Sequence, residues 1–157
     1  MKYFTLPELY ASATAKARGI NNTPTKTIED RLVELATKIL DPLREQFGSP
    51  IRITSGYRCP KLNSVVGGSP RSVHMAGYAA DTVPANGDMA AWQRTVLAWA
   101  RTGLFDQIII EQPDNRGVAK WIHIGIRSNS GMQRRQIFYS RGSINAYVKP
   151  DSKFYNV

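Results

Sequence analysis

The chain has 157 residues, which suits one domain with a substantial core. Its single cysteine excludes an internal disulfide, so the fold does not depend on an oxidising compartment. Twenty-one Lys and Arg against twelve Asp and Glu give a net charge of +9, which favours anionic partners, although the basic residues are scattered and a solvated basic surface explains them equally well.

No segment has the pattern of a signal peptide or a membrane span. One lysine follows the initial methionine, but no apolar run comes after it, and no stretch approaches about eighteen apolar residues. We therefore expect synthesis in the cytoplasm without a signal peptide. Any substrate outside the cytoplasm would be reached after release, by another export route or as part of a particle.

The first third of the sequence predicts helices without chemistry. Residues 3–11 indicate a short extended piece and a helix capped by Thr5, and the polar stretch 12–25 indicates a loop. A longer helix is predicted over about 27–47, and Pro42 should kink or divide it because proline removes an amide hydrogen bond. Its apolar residues recur at a spacing of three or four and are typical of a core-facing stripe: Ile28, Leu32, Leu35, Ile39, Leu43 and Phe47.

A strand followed by a turn is predicted in IRITSGYRCP, residues 51–60, with a helix over about 60–66 beginning at the proline. Arg58 projects from this turn. Its guanidinium can bind a carboxylate through two parallel hydrogen bonds or stabilise developing negative charge. On position alone, an ordinary surface or structural ion pair is the competing interpretation.

The segment SVHMAGYAAD, residues 72–81, combines one of the two histidines of the chain with a carboxylate seven positions later. His74 offers an imidazole nitrogen and Asp81 a carboxylate oxygen, both of which zinc accepts as ligands. Gly77 lets the chain turn between them because glycine tolerates positive φ. A third ligand must come from elsewhere in the sequence.

The second half of the chain supplies that ligand and a further carboxylate. After an amphipathic helix at about 88–102, the apolar run FDQIIIE, 105–111, predicts a buried strand that ends at Glu111. A loop of hairpin composition then leads to KWIHIGIR, where alternation predicts a strand with His123 on one face and isoleucines on the other. Such a hairpin would bring Glu111 close to His123.

Period-two alternation also places Asp81 on one face of its own strand, AADTV. Two neighbouring strands would thus direct Asp81 and His123 to a common point, which His74 reaches from the preceding loop. Three protein ligands leave a tetrahedral zinc ion one position for water, as in catalytic rather than structural sites.

The elements do not alternate regularly, so the predicted class is α+β with a mainly antiparallel sheet and helices packed against it. RRQIFYSRG, 134–142, indicates an additional edge strand. We expect a single domain over 1–157, with 143–157 as a C-terminal tail, and a monomer.

With these motifs in place, the chain resembles the family of zinc D-alanyl-D-alanine carboxypeptidases, dipeptidases and phage endolysins, which shares a fold with the Hedgehog signalling domain. SVHMAGYAAD fits the pattern S-x-H-x-x-G-x-A-x-D at every fixed position, WIHIG fits the second histidine strand, and SGYRC fits the upstream turn. The similarity extends from about Phe4 to Ile126 and is greatest to compact bacteriophage versions.

The resemblance implies one zinc ion bound by His74, Asp81 and His123. It also implies that Arg58 anchors the substrate or the transition state and that Ser72 hydrogen-bonds the substrate or a ligand. Many members carry the catalytic carboxylate three residues before the second histidine, where this sequence has a lysine.

The Hedgehog-like arrangement instead places a glutamate at the end of the preceding strand, which matches Glu111 as general base. Asp114, on the following loop, is the weaker candidate for the general base. The expected reaction is hydrolysis of a peptide bond in peptidoglycan by metal-activated water, with D,D-carboxypeptidase and L,D-endopeptidase action both open.

Two alternatives compete with this interpretation. Cys59, at a predicted helix N-terminus, is a candidate nucleophile with His74 as base, although this leaves His123 unexplained. The chain is alternatively a non-catalytic module, either a zinc-containing wall-binding domain or a basic nucleic-acid binder. No nucleic-acid motif is present, and aromatic residues do not alternate with basic ones, so no specific nucleic acid is expected.

Overall fold

A mixed six-stranded sheet organises the part of the chain that the structure, a computed structural model, describes: residues 1–142 and 147–157. Its strands are β1 (Ile51–Ser55), β2 (Ala79–Pro84), β3 (Gln107–Glu111), β4 (Trp121–Gly125), β5 (Gln136–Ser140) and β6 (Tyr147–Val148), in the spatial order β1-β2-β4-β3-β5-β6. Neighbouring strands are antiparallel except β3 and β5. The predicted α+β class with a mainly antiparallel sheet is confirmed.

Helices surround the sheet. The α-helices are α1 (Ala13–Ala17), α2 (Lys26–Leu35), α3 (Asp41–Phe47), α4 (Pro60–Val65), α5 (Met89–Trp99) and α6 (Ser152–Tyr155), with short 3-10 helices at Pro7–Leu9, Val73–Ala76 and Ala100–Thr102. No helix in the described ranges combines the length and apolar composition needed to cross a membrane.

In the first third, the predicted loop was wrong in part and the predicted long helix formed with the expected division near Pro42. The predicted loop at 12–25 contains α1, which forms because the Ser12 hydroxyl accepts a hydrogen bond from the amide of Ala15 and caps the helix. The predicted helix at 27–47 is divided into α2, a π-helical turn and α3. Pro42 lies in the first turn of α3, where the amide hydrogen that proline lacks would have no helical partner. The helix is thus divided next to Pro42, as predicted.

The core lies between the helices and one face of the sheet. Ile122 and Ile124 of β4 and Ile108 and Ile110 of β3 are fully buried on this face and pack with Trp92 of α5. Because alternate residues of a strand point to opposite faces, the neighbours of these isoleucines, including His123, point to the other face. Burial of the isoleucines therefore fixes which face carries the polar side chains.

The end of the chain completes this core. Phe154 of α6 is buried and stacks on Tyr139 of β5 with ring centroids 4.6 Å apart. The buried Gln93 amide donates a hydrogen bond to the Phe154 carbonyl. Residues 143–146 of the predicted tail lie outside the described residues, but β6 pairs with β5 and the Phe154 ring is buried in the core.

The strand predicted at 134–142 forms as β5 but is not the outermost one in the described part. The short strand β6 pairs outside it, and β5 itself lies parallel to β3. A prediction from local pattern cannot detect this arrangement, because strand order depends on residues distant in the sequence.

Candidate metal centre

Three side chains that the sequence singled out meet on the polar face of the sheet. Asp81 on β2 lies directly opposite His123 on β4 in the antiparallel register. His74 approaches from the 3-10 helix Val73–Ala76, which precedes β2. The structure thus brings the three predicted ligands to one point, where they could hold a metal ion.

The donor atoms form a nearly equilateral triangle. His74 Nε2 lies 3.1 Å from His123 Nδ1 and 3.3 Å from Asp81 Oδ1, and His123 Nδ1 lies 3.0 Å from Asp81 Oδ1. A tetrahedral zinc ion with ligand bonds of about 2.0–2.1 Å spaces its ligand atoms about 3.3–3.4 Å apart. The donor set and its spacing therefore fit a zinc ion with only slight expansion.

The orientation of His74 is fixed by the backbone. Its Nδ1 donates a hydrogen bond of 2.8 Å to the carbonyl of Gly56, which leaves a lone pair on Nε2 directed at the other two groups. A histidine ligand held by a backbone carbonyl through its second nitrogen is a common outer-shell arrangement at metal sites. The left-handed conformation of Gly77, with φ of 75°, then turns the chain from His74 into β2, as predicted.

Electrostatics favour the protonation states that bind a metal. Burial lowers the pKa of His74 more than Asp81 raises it, so the imidazole is neutral near pH 7. Burial opposes ionisation of Asp81, but its interactions with His74 and with His123, whose Nδ1 lies 3.0 Å from Asp81 Oδ1, outweigh it and lower the pKa of this carboxyl. Neutral imidazole and ionised carboxylate are the ligand forms that divalent metals require.

Arg58 lies beside this triangle. Its Nη1 is 3.8 Å from Asp81 Oδ2, the oxygen that does not face the histidines, and only 13% of the side chain is exposed. The guanidinium also donates to the hydroxyls of Ser55 and Ser72 and to the Asn63 side-chain oxygen. A cation in this fixed position can bind or stabilise negative charge next to the metal-binding side chains.

Ser72 connects two of the predicted site residues. Its hydroxyl oxygen accepts a hydrogen bond from the His74 amide, which caps the short 3-10 helix, and another from Arg58. Both hydrogen bonds of the Ser72 hydroxyl are therefore with residues of the candidate site. They position the loop that carries His74.

Glu111 ends β3 on the same face of the sheet. It pairs with Trp121 and is therefore a diagonal neighbour of His123 on the adjacent strand. Diagonal neighbours lie about 7–8 Å apart by their Cα atoms, a distance that the glutamate and histidine side chains can bridge together. Burial raises the pKa of Glu111 to about 7, an effect that His123 opposes and Asp81 reinforces.

Other residues considered from the sequence have different surroundings. The exposed Asp114 carboxylate accepts hydrogen bonds from the amides of Arg116 and Val118 and stabilises its own turn. The Cys59 sulfur caps α4 by accepting from the Leu62 amide. Because both ring nitrogens of His74 have other partners, the structure does not support a Cys59–His74 pair within the described ranges.

Sequence reasoning missed two residues that hold the Arg58 turn. The buried Asn22 side chain bonds the carbonyls of Tyr10 and Tyr57 and accepts from the Cys59 amide. Gly56 packs against the backbone at Leu9, where an added Cβ would lie 2.0 Å from the carbonyl oxygen. Gly56 could have been singled out from the sequence, because it lies in the SGYRC motif. Asn22 lies in a polar stretch, and nothing in the sequence indicates that its side chain is buried.

Comparison with known proteins agrees with this geometry. No curated protein matches the chain at a significant level. The profile of the family described as Peptidase M15 matches residues 2–125, which include the Arg58 turn, all three candidate metal ligands and Glu111. Because this match covers most of the sequence, the chain belongs to the Peptidase M15 family.

Proposed function

We propose that the protein is a zinc-dependent peptidase that hydrolyses a peptide bond in bacterial peptidoglycan. The observation that carries the proposal is the convergence of His74 Nε2, Asp81 Oδ1 and His123 Nδ1 beside the half-buried Glu111. Membership of the Peptidase M15 family supports a peptidase. The wall substrate is supported by the resemblance of the sequence motifs to those of D-alanyl-D-alanine carboxypeptidases and endolysins.

Each side chain of the site has a distinct role in this proposal. His74, Asp81 and His123 would hold the zinc ion, which when bound acts as a Lewis acid and lowers the pKa of water towards about 7. Glu111 would accept the proton of the attacking water and transfer it to the departing amine. General acid–base catalysis of this kind contributes roughly 10²–10⁴ in rate.

Arg58 would bind negative charge of the substrate. If it binds the tetrahedral oxyanion, the enzyme accepts substrates that continue on both sides of the cleaved bond. If it binds a free terminal carboxylate through paired hydrogen bonds, the enzyme is a carboxypeptidase. The position of Arg58 beside Asp81 is consistent with both roles, so the products of the reaction distinguish them.

The test is digestion of purified peptidoglycan by the zinc-loaded protein, with mass spectrometry of the released fragments. We expect new peptide termini that are absent with a chelator and absent with the Glu111→Gln variant. Release of single D-alanine residues would identify a carboxypeptidase, and release of longer peptides an endopeptidase. Stoichiometric zinc with no cleavage would overturn the proposal and favour a non-catalytic zinc-containing wall-binding module.

The resemblance to compact bacteriophage proteins supports a further proposal about where the enzyme works. It would act on the wall after release from the cytoplasm or as part of a phage particle. Detection of the protein in purified particles, or in the medium only after lysis, would distinguish these settings.

A further inference from the structure

Two aromatic rings stack at the end of the sheet that is distant from Arg58. Phe138 on β5 and Tyr147 on β6 have ring centroids 5.8 Å apart and an interplanar angle of 29°. Phe138 is half-buried and Tyr147 is 43% exposed. Both lie beyond residues 2–125, so the pair is outside the segment that matches the Peptidase M15 family.

The strand register places this pair on the face that carries the metal-binding side chains. The row of paired residues that contains Asp81 and His123 continues across β3 to Phe138 on β5. The neighbouring row runs from Glu111 through β5 to Tyr147 on β6. Because paired residues point to the same face, the aromatic rings lie on the face of the sheet that carries the candidate metal ligands, with the buried Ile109 and Ser140 between them.

The distance along this surface matches a short length of extended peptide. Neighbouring strands lie about 4.8 Å apart, so the backbone of Phe138 is about 10 Å from that of His123, with the backbone of Tyr147 one strand further. An extended chain advances about 3.3–3.6 Å per residue, so about three residues span the interval. A group that contacts the aromatic pair is thus separated from the cleaved bond by a few residues.

The groups around the pair are polar except Ile109, which pairs with Phe138 and is buried. Gln107 and Gln136 point to the same face and share a hydrogen bond of 3.3 Å, and Glu111 lies on the other side. An aromatic surface with hydrogen-bonding neighbours suits a ligand that has an apolar face and polar edges. A pyranose ring has this form, since one face presents C–H groups and its edge presents hydroxyls. A wholly apolar side chain would leave the amides and the carboxylate without partners.

We propose that Phe138 and Tyr147 form a sugar-binding subsite, which holds a pyranose ring of the glycan strand while the attached peptide lies across the metal centre. This inference rests on the proposed function, because glycan and peptide are joined in peptidoglycan. It assigns the segment after residue 125 a role in selecting peptide that is still attached to the glycan.

Direct titration tests the subsite without catalysis. The full chain is titrated with a β-1,4-linked tetramer of N-acetylglucosamine and followed by NMR chemical shifts. We expect saturable binding that Tyr147→Ala weakens at least fivefold and that Tyr147→Phe, which keeps the ring, retains within about twofold. Tyr155→Ala, a matched control with the same 43% exposure on α6, should bind like the wild type. Absence of saturable binding, or equal binding by Tyr147→Ala, overturns the subsite.

Kinetics provide a second test. The ratio of kcat/KM for glycan-linked peptide to kcat/KM for the same free peptide should fall at least fivefold in Phe138→Ala and in Tyr147→Ala. An unchanged ratio in both variants overturns the inference. Failure of the wild type to hydrolyse either substrate would count against the proposed function alone, because the sugar titration still decides the subsite.

Discussion

Asp81 and His123 occupy directly opposed positions on β2 and β4, and Asp81 Oδ1 lies 3.0 Å from His123 Nδ1. A shift of this register by one residue would direct His123 to the opposite face of the sheet, among the buried isoleucines. Burial of Ile122 and Ile124 therefore keeps the three candidate metal ligands together, because it fixes the register of the strand that carries His123.

Removal of a ligand should abolish metal binding. We expect one zinc ion per wild-type chain by elemental analysis and less than about a tenth of that in His74→Ala and His123→Ala, because two remaining ligands do not complete the site. Cys59→Ser is the control and should retain zinc and activity, since its sulfur caps α4. Stoichiometric zinc in both histidine variants would contradict the assignment.

Substitution of the proposed base should separate chemistry from metal binding. Glu111→Gln keeps the size of the side chain but cannot accept a proton, so we expect normal zinc content and a loss of kcat of at least about 100-fold. Asp114→Asn, on the exposed turn, should change kcat less than about threefold. Equal losses in both variants, or wild-type turnover by Glu111→Gln, would refute the role of Glu111.

The geometry of Arg58 should matter beyond its charge. Arg58→Lys keeps a cation but loses the planar group that contacts Ser55, Asn63 and Ser72. We expect kcat/KM to fall about 100-fold, or about 2.7 kcal/mol. Arg52→Lys, at an exposed position of β1, is the control and should remain within twofold. Retention of full activity by Arg58→Lys would show that a point charge suffices.

The Glu34–Arg127 ion pair should make stability depend on pH. The hydrogen bond from Arg127, 2.8 Å long, lowers the pKa of Glu34 to about 2 from its ordinary value of 4.5. A lowered folded-state pKa means that the stabilisation is complete above about pH 4.5 and is lost as pH falls towards about 2. Because both side chains are partly exposed, we expect only about 1 kcal/mol at pH 7.

Urea unfolding of wild type and Glu34→Gln measures this contribution. The difference in unfolding free energy should be present at pH 7 and should shrink below about pH 3. Asp30→Asn, which removes the more exposed ion pair with Lys26, should change the free energy of unfolding by less than about 0.5 kcal/mol both at pH 7 and below about pH 3. A Glu34→Gln difference that is the same at both pH values would refute the linkage.

The C-terminal helix should contribute to stability through one side chain. Phe154→Ala removes a buried ring that stacks on Tyr139, so we expect a loss of about 3–5 kcal/mol in the free energy of unfolding. Tyr155→Ala removes a neighbouring exposed ring and should cost less than about 1 kcal/mol. Similar small effects for both would show that α6 is not part of the core.

Much of the candidate site was predictable because its signals are local. The spacing of His74, Gly77 and Asp81 depends on a short turn, and the period of two around His123 assigns side chains to the faces of one strand. The helix at 27–47 and its division near Pro42 also followed from local signals, the apolar periodicity and the proline. The π-helical turn that precedes Pro42 was not predicted.

The sequence by itself determined the chemical types of the ligands, the faces of the individual strands and membership in a peptidase family. Only the tertiary structure decided that β2 pairs with β4, that the Gly56 carbonyl orients His74, and that β5 and β6 extend the polar face beyond Glu111. The physical reason is that side-chain periodicity follows from the geometry of one strand. Lateral pairing instead depends on hydrogen bonds and buried contacts between segments far apart in the sequence.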